Sequence, residues 1–225
     1  MDGSIGGSLL LTAQALWDLL ELGADRDHAG VVRLSGYLLM QQGQPGRWSE
    51  DGIAGDGFFS PGPRAQPVAP LRLPSGTVFS NEDDARFVAS CLALRAVLRA
   101  GHEERHPVTT HLERLLRLRV LEPHLGFVVI GALGMAPPQY RARIESLIDE
   151  AGRHQRDDGS WPGVTVFHAA DLLMTVPTAA ARALIRKAAP YIAAKQTPSG
   201  AFDAEEDELL ALIGLRALLH AQRTD

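Results

Sequence analysis

The chain has 225 residues, 45% of them hydrophobic and 22% charged, which is enough for one well-buried core and makes a single domain over 1–225 the expectation. A formal net charge of -5 and a pI near 5.9 leave no basic footprint for nucleic acid or an anionic lipid surface. The one cysteine, Cys91, excludes an intrachain disulfide and a cysteine-based zinc cluster.

The opening Met1-Asp-Gly-Ser-Ile-Gly-Gly-Ser lacks a basic region, and the apolar stretch after it is interrupted by Gln14, Asp18 and Glu21. Neither a signal peptide nor a membrane span is expected, and a cytoplasmic location is the default. Apolar periodicity predicts helices over 8–22, 26–42, 81–100, 107–119, 124–134, 138–155, 164–176, 178–196 and 204–222, and no strand. In the last of these, Leu209, Leu212, Ile213, Leu215 and Leu219 are expected to form the buried stripe. Residues 43–80 are rich in Gly and Pro and carry Phe58-Phe59, and they read as a lid or interface, or as a disordered insertion.

A turn recurs along the chain. Gln42-Gly-Gln-Pro-Gly46-Arg-Trp48 and Gln155-Arg-Asp-Asp-Gly159-Ser-Trp161 both read Q-x3-G-x-W, and Gln196-Thr-Pro-Ser-Gly200-Ala-Phe202 repeats the pattern with Phe. Gly159 and Gly200 are about 41 residues apart, the length of a two-helix repeat. A weaker copy is Pro74-Ser-Gly76-Thr-Val78, with Arg72 in place of the Gln. Each Gly can supply the positive φ of a helix stop, the aromatic can pack over the turn, and the Gln side chain offers a donor and an acceptor to pin it.

These turns resemble the repeat of squalene–hopene cyclases and of protein prenyltransferase β-subunits, over roughly 26–222. The resemblance implies an all-α fold, an α/α toroid of inner and outer helices, with 8–22, 81–100, 124–134, 164–176 and 204–222 inside. At this length the ring is expected to be short or open, with a second copy (a homodimer) or a helical partner protein to complete it. A fold of this kind serves enzymes and binding modules alike.

Ser80-Asn81-Glu82-Asp83-Asp84-Ala85-Arg86 opens one inner helix and resembles the acidic D-x-D-D-T-A segment of class II terpene cyclases. The resemblance makes Asp83 the acid that protonates an alkene or epoxide, with Asp84 beside it and Asn81 where the family has its first Asp. Helical spacing places Asp83, Phe87, Cys91 and Leu94 along one face. The structural alternative makes Ser80 the N-cap, with Asp83 at the third helical position complementing the helix dipole.

His168, in Phe167-His168-Ala-Ala-Asp171, matches the position of the zinc-binding His of prenyltransferase β-subunits, but the preceding helix supplies no Asp or Cys. His168 then reads as a cavity residue, a proton acceptor or a satisfied core histidine. His102-Glu103-Glu-Arg-His106, with His111 beyond it, fits a metalloprotease pattern yet falls between Gly101 and Pro107, in a loop. Asp203-Ala-Glu205-Glu206-Asp207-Glu208 reads as a carboxylate cluster for Mg²⁺ and a diphosphate, or as a solvated first turn. No cofactor is assigned, with Mg²⁺ and Zn²⁺ left open.

Three functions follow. The first is a proton-initiated cyclase acting on an isoprenoid or related polyene, with Asp83 as general acid and Trp48, Phe58, Phe59, Phe79, Phe87, Trp161, Phe167 and Phe202 around the substrate. The second is a non-catalytic toroid that binds a hydrophobic small molecule or a partner protein. The third, a prenyltransferase-like subunit, requires a helical partner and zinc. Neither nucleic acid nor a membrane span enters any of them.

Overall fold

Helices begin where a short polar side chain can satisfy the first free backbone N–H groups. The side chains of Ser8, Asn81, Thr165, Thr178 and Asp207 each accept from a backbone N–H in the turn they open, and prolines stand in the first turns that start after Arg105 and Glu122. The computed structural model describes residues 3–41, 58–62, 66–118, 122–202 and 207–223. Among the described residues there are nine α-helices: α1 (Leu9–Glu21), α2 (Ala29–Met40), α3 (Glu82–Arg99), α4 (His106–Arg117), α5 (Pro123–Leu133), α6 (Arg141–His154), α7 (Val166–Leu173), α8 (Ala179–Ala194) and α9 (Glu208–Gln222). The protein is all-α in class, and no helix among the described residues is long and apolar enough to cross a membrane.

Two details differ from expectation. A two-residue strand pair, β1 (Leu71–Arg72) with β2 (Val78–Phe79), stands where no strand was expected. The N-cap of α3 is Asn81, not Ser80, because Asn81 Oδ1 accepts from the N–H groups of Asp83 and Asp84 at 2.8 and 3.2 Å. Asp83 is therefore the second helical residue rather than the third.

The chain divides into two compact units: Met1–Leu71 with Phe79–Arg119 and Met135–Pro138, and Arg72–Val78 with Val120–Gly134 and Gln139–Asp225. In the first unit α3 packs against α1, α2 and α4 and is buried nearly all round, from Ala85 to Leu98. In the second, α7 packs against α5 and α9, while α6 packs against α8. Helices α5 and α7 are buried on almost every side, whereas α6 and α8 each bury one stripe: Ile144, Leu147 and Ile148, and Ala181, Ile185, Ala188 and Ile192. That difference separates an inner from an outer layer within this unit, and each fully buried Leu, Ile, Val or Phe contributes about 1.5–3 kcal/mol.

The recurring turn is a real structural unit. At 155–161 the Arg156 N–H donates to Ser160 O and the Gly159 N–H to Arg156 O. The same two bonds recur from Thr197 to Ala201 and Gly200 to Thr197, and again from Leu73 to Thr77 and Gly76 to Leu73. Gly76, Gly159 and Gly200 sit at φ +78°, +87° and +90°, which only glycine adopts without strain. Gln155 Nε2 donates to Gly159 O at 3.0 Å and to Leu184 O at 2.9 Å, and Gln196 Nε2 reaches Gly200 O at 3.5 Å. The pin uses the amide as a donor; Gln155 Oε1 is buried without a partner among the described residues. Trp161 Nε1 donates to Ala151 O at 2.8 Å, fixing its ring over the end of α6. The copy at Gln42–Trp48 lies outside the described residues.

Of the stripe expected in α9 only Ile213 is buried; its four leucines are exposed. Leu210, Ile213, Gly214 and Ala217 face the core, while Leu209, Leu212, Leu215 and Leu219 face solvent. Gly214 sets this orientation, since a Cβ there would come within 2.9 Å of the Phe202 ring, so the helix can press its bare side onto that aromatic.

Candidate functional site

The residues singled out from sequence fall into two sets, one in each compact unit. In the first unit, Asp83 and Asp84 occupy the first turn of α3 and are half-buried, while Phe58, Phe59, Phe79 and Phe87 are buried. Trp48 lies outside the described residues.

Beside Asp83 in that turn, Glu82 and Arg86 form a bonded pair. The Glu82 carboxylate accepts from the N–H groups of Val68 and Ala69 at 2.9 and 2.8 Å and receives Arg86 Nε at 2.5 Å. Arg86 is wholly buried, and its Nη1 and Nη2 donate to Gly62 O at 2.8 Å and Gln66 O at 2.9 Å. Burial alone would raise the Glu82 pKa; the two backbone N–H groups and Arg86 outweigh it and hold the carboxyl below its ordinary value. The pair therefore ties Gly62, Gln66, Val68 and Ala69 to the start of α3. The spacing of four between Glu82 and Arg86 is the signal of this pair in the sequence. Asn81 is committed as a cap, so its Oδ1 serves backbone N–H groups rather than an acid at Asp83.

One turn into α3 an aromatic cluster forms around His111 of α4. The Phe58 and Phe59 rings lie 4.7 and 5.2 Å from the imidazole, and Phe58 lies 6.1 Å from Phe87. His111 is fully buried, neither ring nitrogen has a hydrogen-bond partner among the described residues, and burial pushes its pKa down to about 3. It is a neutral imidazole in an apolar setting. The signal that reveals it in sequence is the stripe Val108, His111, Leu112, Leu115 at helical spacing, not the H-E-x-x-H pattern. His106 does open α4, but His102 lies in the turn before it, so the two imidazoles do not share a helical face. Burial raises the pKa of the Cys91 thiol, which makes it an inert core group.

The Ser60 N–H donates to Gln41 O at 2.9 Å. A depression of about 560 Å³, open to solvent, lies elsewhere, between Leu20, Ala24, Asp25, Arg26, Asp27 and Arg99. Arg99 and Asp83 sit near opposite ends of α3, about 24 Å apart along the axis. The depression therefore does not serve Asp83, and its two carboxylates and two guanidinium groups favour neither sign of ligand. Its Arg99 is paired with Glu21 and stacks with Arg95 on Trp17, at 4.3 and 4.0 Å from the ring centre.

In the second unit His168 is a satisfied core histidine. Its Nε2 lies 3.1 Å from the carbonyl of His124, which can only accept, so Nε2 carries the proton and Nδ1 faces Ser75 Oγ at 3.4 Å. Burial lowers its pKa, so the ring stays neutral and ties the 72–78 hairpin to α5 and α7. Thr77 Oγ1 extends the link to Thr165 Oγ1 at 3.1 Å. Trp161 packs edge-on to Phe127 at 5.3 Å and Phe167 to Phe202 at 5.7 Å, and all four rings are buried.

Among the described residues no three His, Cys, Asp or Glu side chains are arranged to hold a metal ion. Of the acidic run before α9, residues 203–206 lie outside the described residues, Asp207 is the N-cap and Glu208 begins the helix. Comparison with the models of known families, with characterised proteins and with solved structures finds no match for this chain.

Proposed function

We propose that the chain is a non-catalytic helical-repeat module of the α/α-toroid kind, related through its Q-x3-G-x-W turns to the cyclase and prenyltransferase repeat, and that it works by binding. The observation that carries this reading is the chemistry at the start of α3. Asn81 caps the helix, Glu82 is held ionised by two backbone N–H groups and Arg86, and the helix N-terminus favours negative charge there. A general acid for an alkene needs the opposite, a carboxyl kept protonated in a dry pocket. The inner and outer layering within the second unit supports the toroid kind of repeat, and the hydrophobic ligand or partner protein of such a module needs no acid.

The aromatic cluster one turn from Asp83 favours a second reading, in which Asp83 protonates a polyene and Phe58, Phe59 and Phe87 stabilise the resulting cation. One experiment separates the two. The protein is incubated with linear polyprenyl compounds and the organic extract is analysed by gas chromatography and mass spectrometry. The binding reading expects the substrate back unchanged. A cyclised product formed by the native chain and lost in Asp83→Asn would establish the cyclase and end the binding reading.

A further inference from the structure

Helix α9 has the make-up of an inner helix but is covered on one side only. Its neighbour α7 is flanked by α5 and α9 and is buried nearly all round; α9 packs on α7 and α8 and buries only Leu210, Ile213, Gly214 and Ala217. On the opposite face Leu209, Leu212, Leu215 and Leu219 are 55%, 44%, 46% and 61% exposed. Four outward leucines in successive turns of a 15-residue helix form an apolar strip about 15 Å long.

We propose that this strip is the docking face for a second copy of the chain, with α9 against α9 in antiparallel array about a two-fold axis. Charge complementarity selects both the partner and its direction. Asp207 caps the start of the helix and Glu208 opens it, while Arg216 lies in its second half and Arg223 follows its last residue. Turned end for end on itself, it sets the acidic start of one copy against the basic end of the other, twice, across a shared leucine centre, and the two helix dipoles oppose. A parallel pair would set acid on acid and base on base. A second copy therefore brings a face matched in length, apolar centre and reversed charge. The strip is shorter than a standard interface, so the dimer is expected to dissociate at micromolar concentration.

The inference deepens the binding-module reading by naming the partner, and the two fail separately: conversion of a polyene ends that reading, whereas the dimer stands or falls on mass. In sedimentation of the full chain across a concentration series, the mass is expected to climb from 24.2 kDa towards twice that value. Leu212→Glu with Leu219→Glu, both exposed, is expected to stay at 24.2 kDa with an unchanged circular dichroism spectrum. Should that variant misfold, charge exchange gives an independent test. Glu208→Arg and Arg223→Glu alone should each weaken the dimer about ten-fold, and together they should restore it, because the exchange rebuilds the pair only across the two-fold. A native chain that is monomeric throughout overturns the proposal. So does a dimer indifferent to the leucine variant, or a charge exchange that fails to restore it. Loss of binding to lipid vesicles or another protein in the leucine variant, with the native chain monomeric, would assign the face to that occupant instead.

Discussion

The Phe202 ring lies so close to Gly214 that a Cβ at that position would stand 2.9 Å from its Cε2 and Cζ atoms. This contact joins the third recurring turn to α9 and decides which side of the helix faces the core. Gly214→Ala gains helix propensity of about 1 kcal/mol but must move a fully buried ring, so a net loss of about 1–2 kcal/mol in urea denaturation is expected. Phe202→Leu should make the same glycine change nearly neutral. A double-mutant cycle with no coupling would show that Phe202 does not set the orientation.

Two glycines with similar backbone angles should differ sharply. Gly159 at φ +87° has Lys187 O 2.2 Å from where a Cβ would stand, whereas Gly163 at φ +70° has open space around it. Gly163→Ala carries only the left-handed strain, about 1 kcal/mol, and Gly159→Ala must also displace the α8 backbone, for a total of about 3–5 kcal/mol. Equal melting temperatures for the two variants would mean that the Gln155–Trp161 turn does not approach α8 this closely.

The parts of this fold that are written locally are legible in the chain. Caps such as Thr165 and Asp207, and the apolar periods after them, place all nine helices within a few residues, and the recurring turn extends even to the degenerate copy at Arg72–Val78. What is not legible depends on partners distant in sequence. Leucines surround α9, so counting periods selects a face that only the Gly214–Phe202 contact can choose. Arg86 and Glu82 are recognisable as a pair, but their backbone partners at Gly62, Gln66, Val68 and Ala69 depend on the path of a loop without periodicity. At the candidate site, Asp83 was the prominent residue by resemblance, and the neighbouring clamp had no such signal.

The clamp makes stability depend on pH in a defined direction. The folded pKa of Glu82 lies below its ordinary value of 4.5, so its contribution is fully present above 4.5 and is lost as pH falls through the folded value. Glu82→Gln is expected to lower the urea midpoint at pH 7 and to flatten the loss below pH 4.5. Arg86→Met removes the buried cation and leaves two carbonyls and a carboxylate unserved, at about 3–5 kcal/mol. A variant that keeps the native acid limb would show that the pair does not hold Gly62, Gln66, Val68 and Ala69.

His111 should act in the opposite sense to its usual role as a helpful polar group. A neutral imidazole buried with neither nitrogen bonded forfeits its hydration, worth about 1–3 kcal/mol, so His111→Leu is expected to raise the urea midpoint at pH 7. The pH dependence follows from a folded pKa of about 3 against an ordinary value of 6.5. Between those values the unfolded chain takes up a proton that the folded chain does not, so stability falls by about 1.4 kcal/mol for each pH unit of acidification. Above 6.5 both states are neutral and this slope vanishes. In His111→Leu the one-proton slope should disappear from that window. If the variant is destabilised at pH 7, or if the slope persists, the imidazole has a hydrogen-bond partner, and the cluster of Phe58, Phe59 and Phe87 encloses a polar group rather than an apolar core.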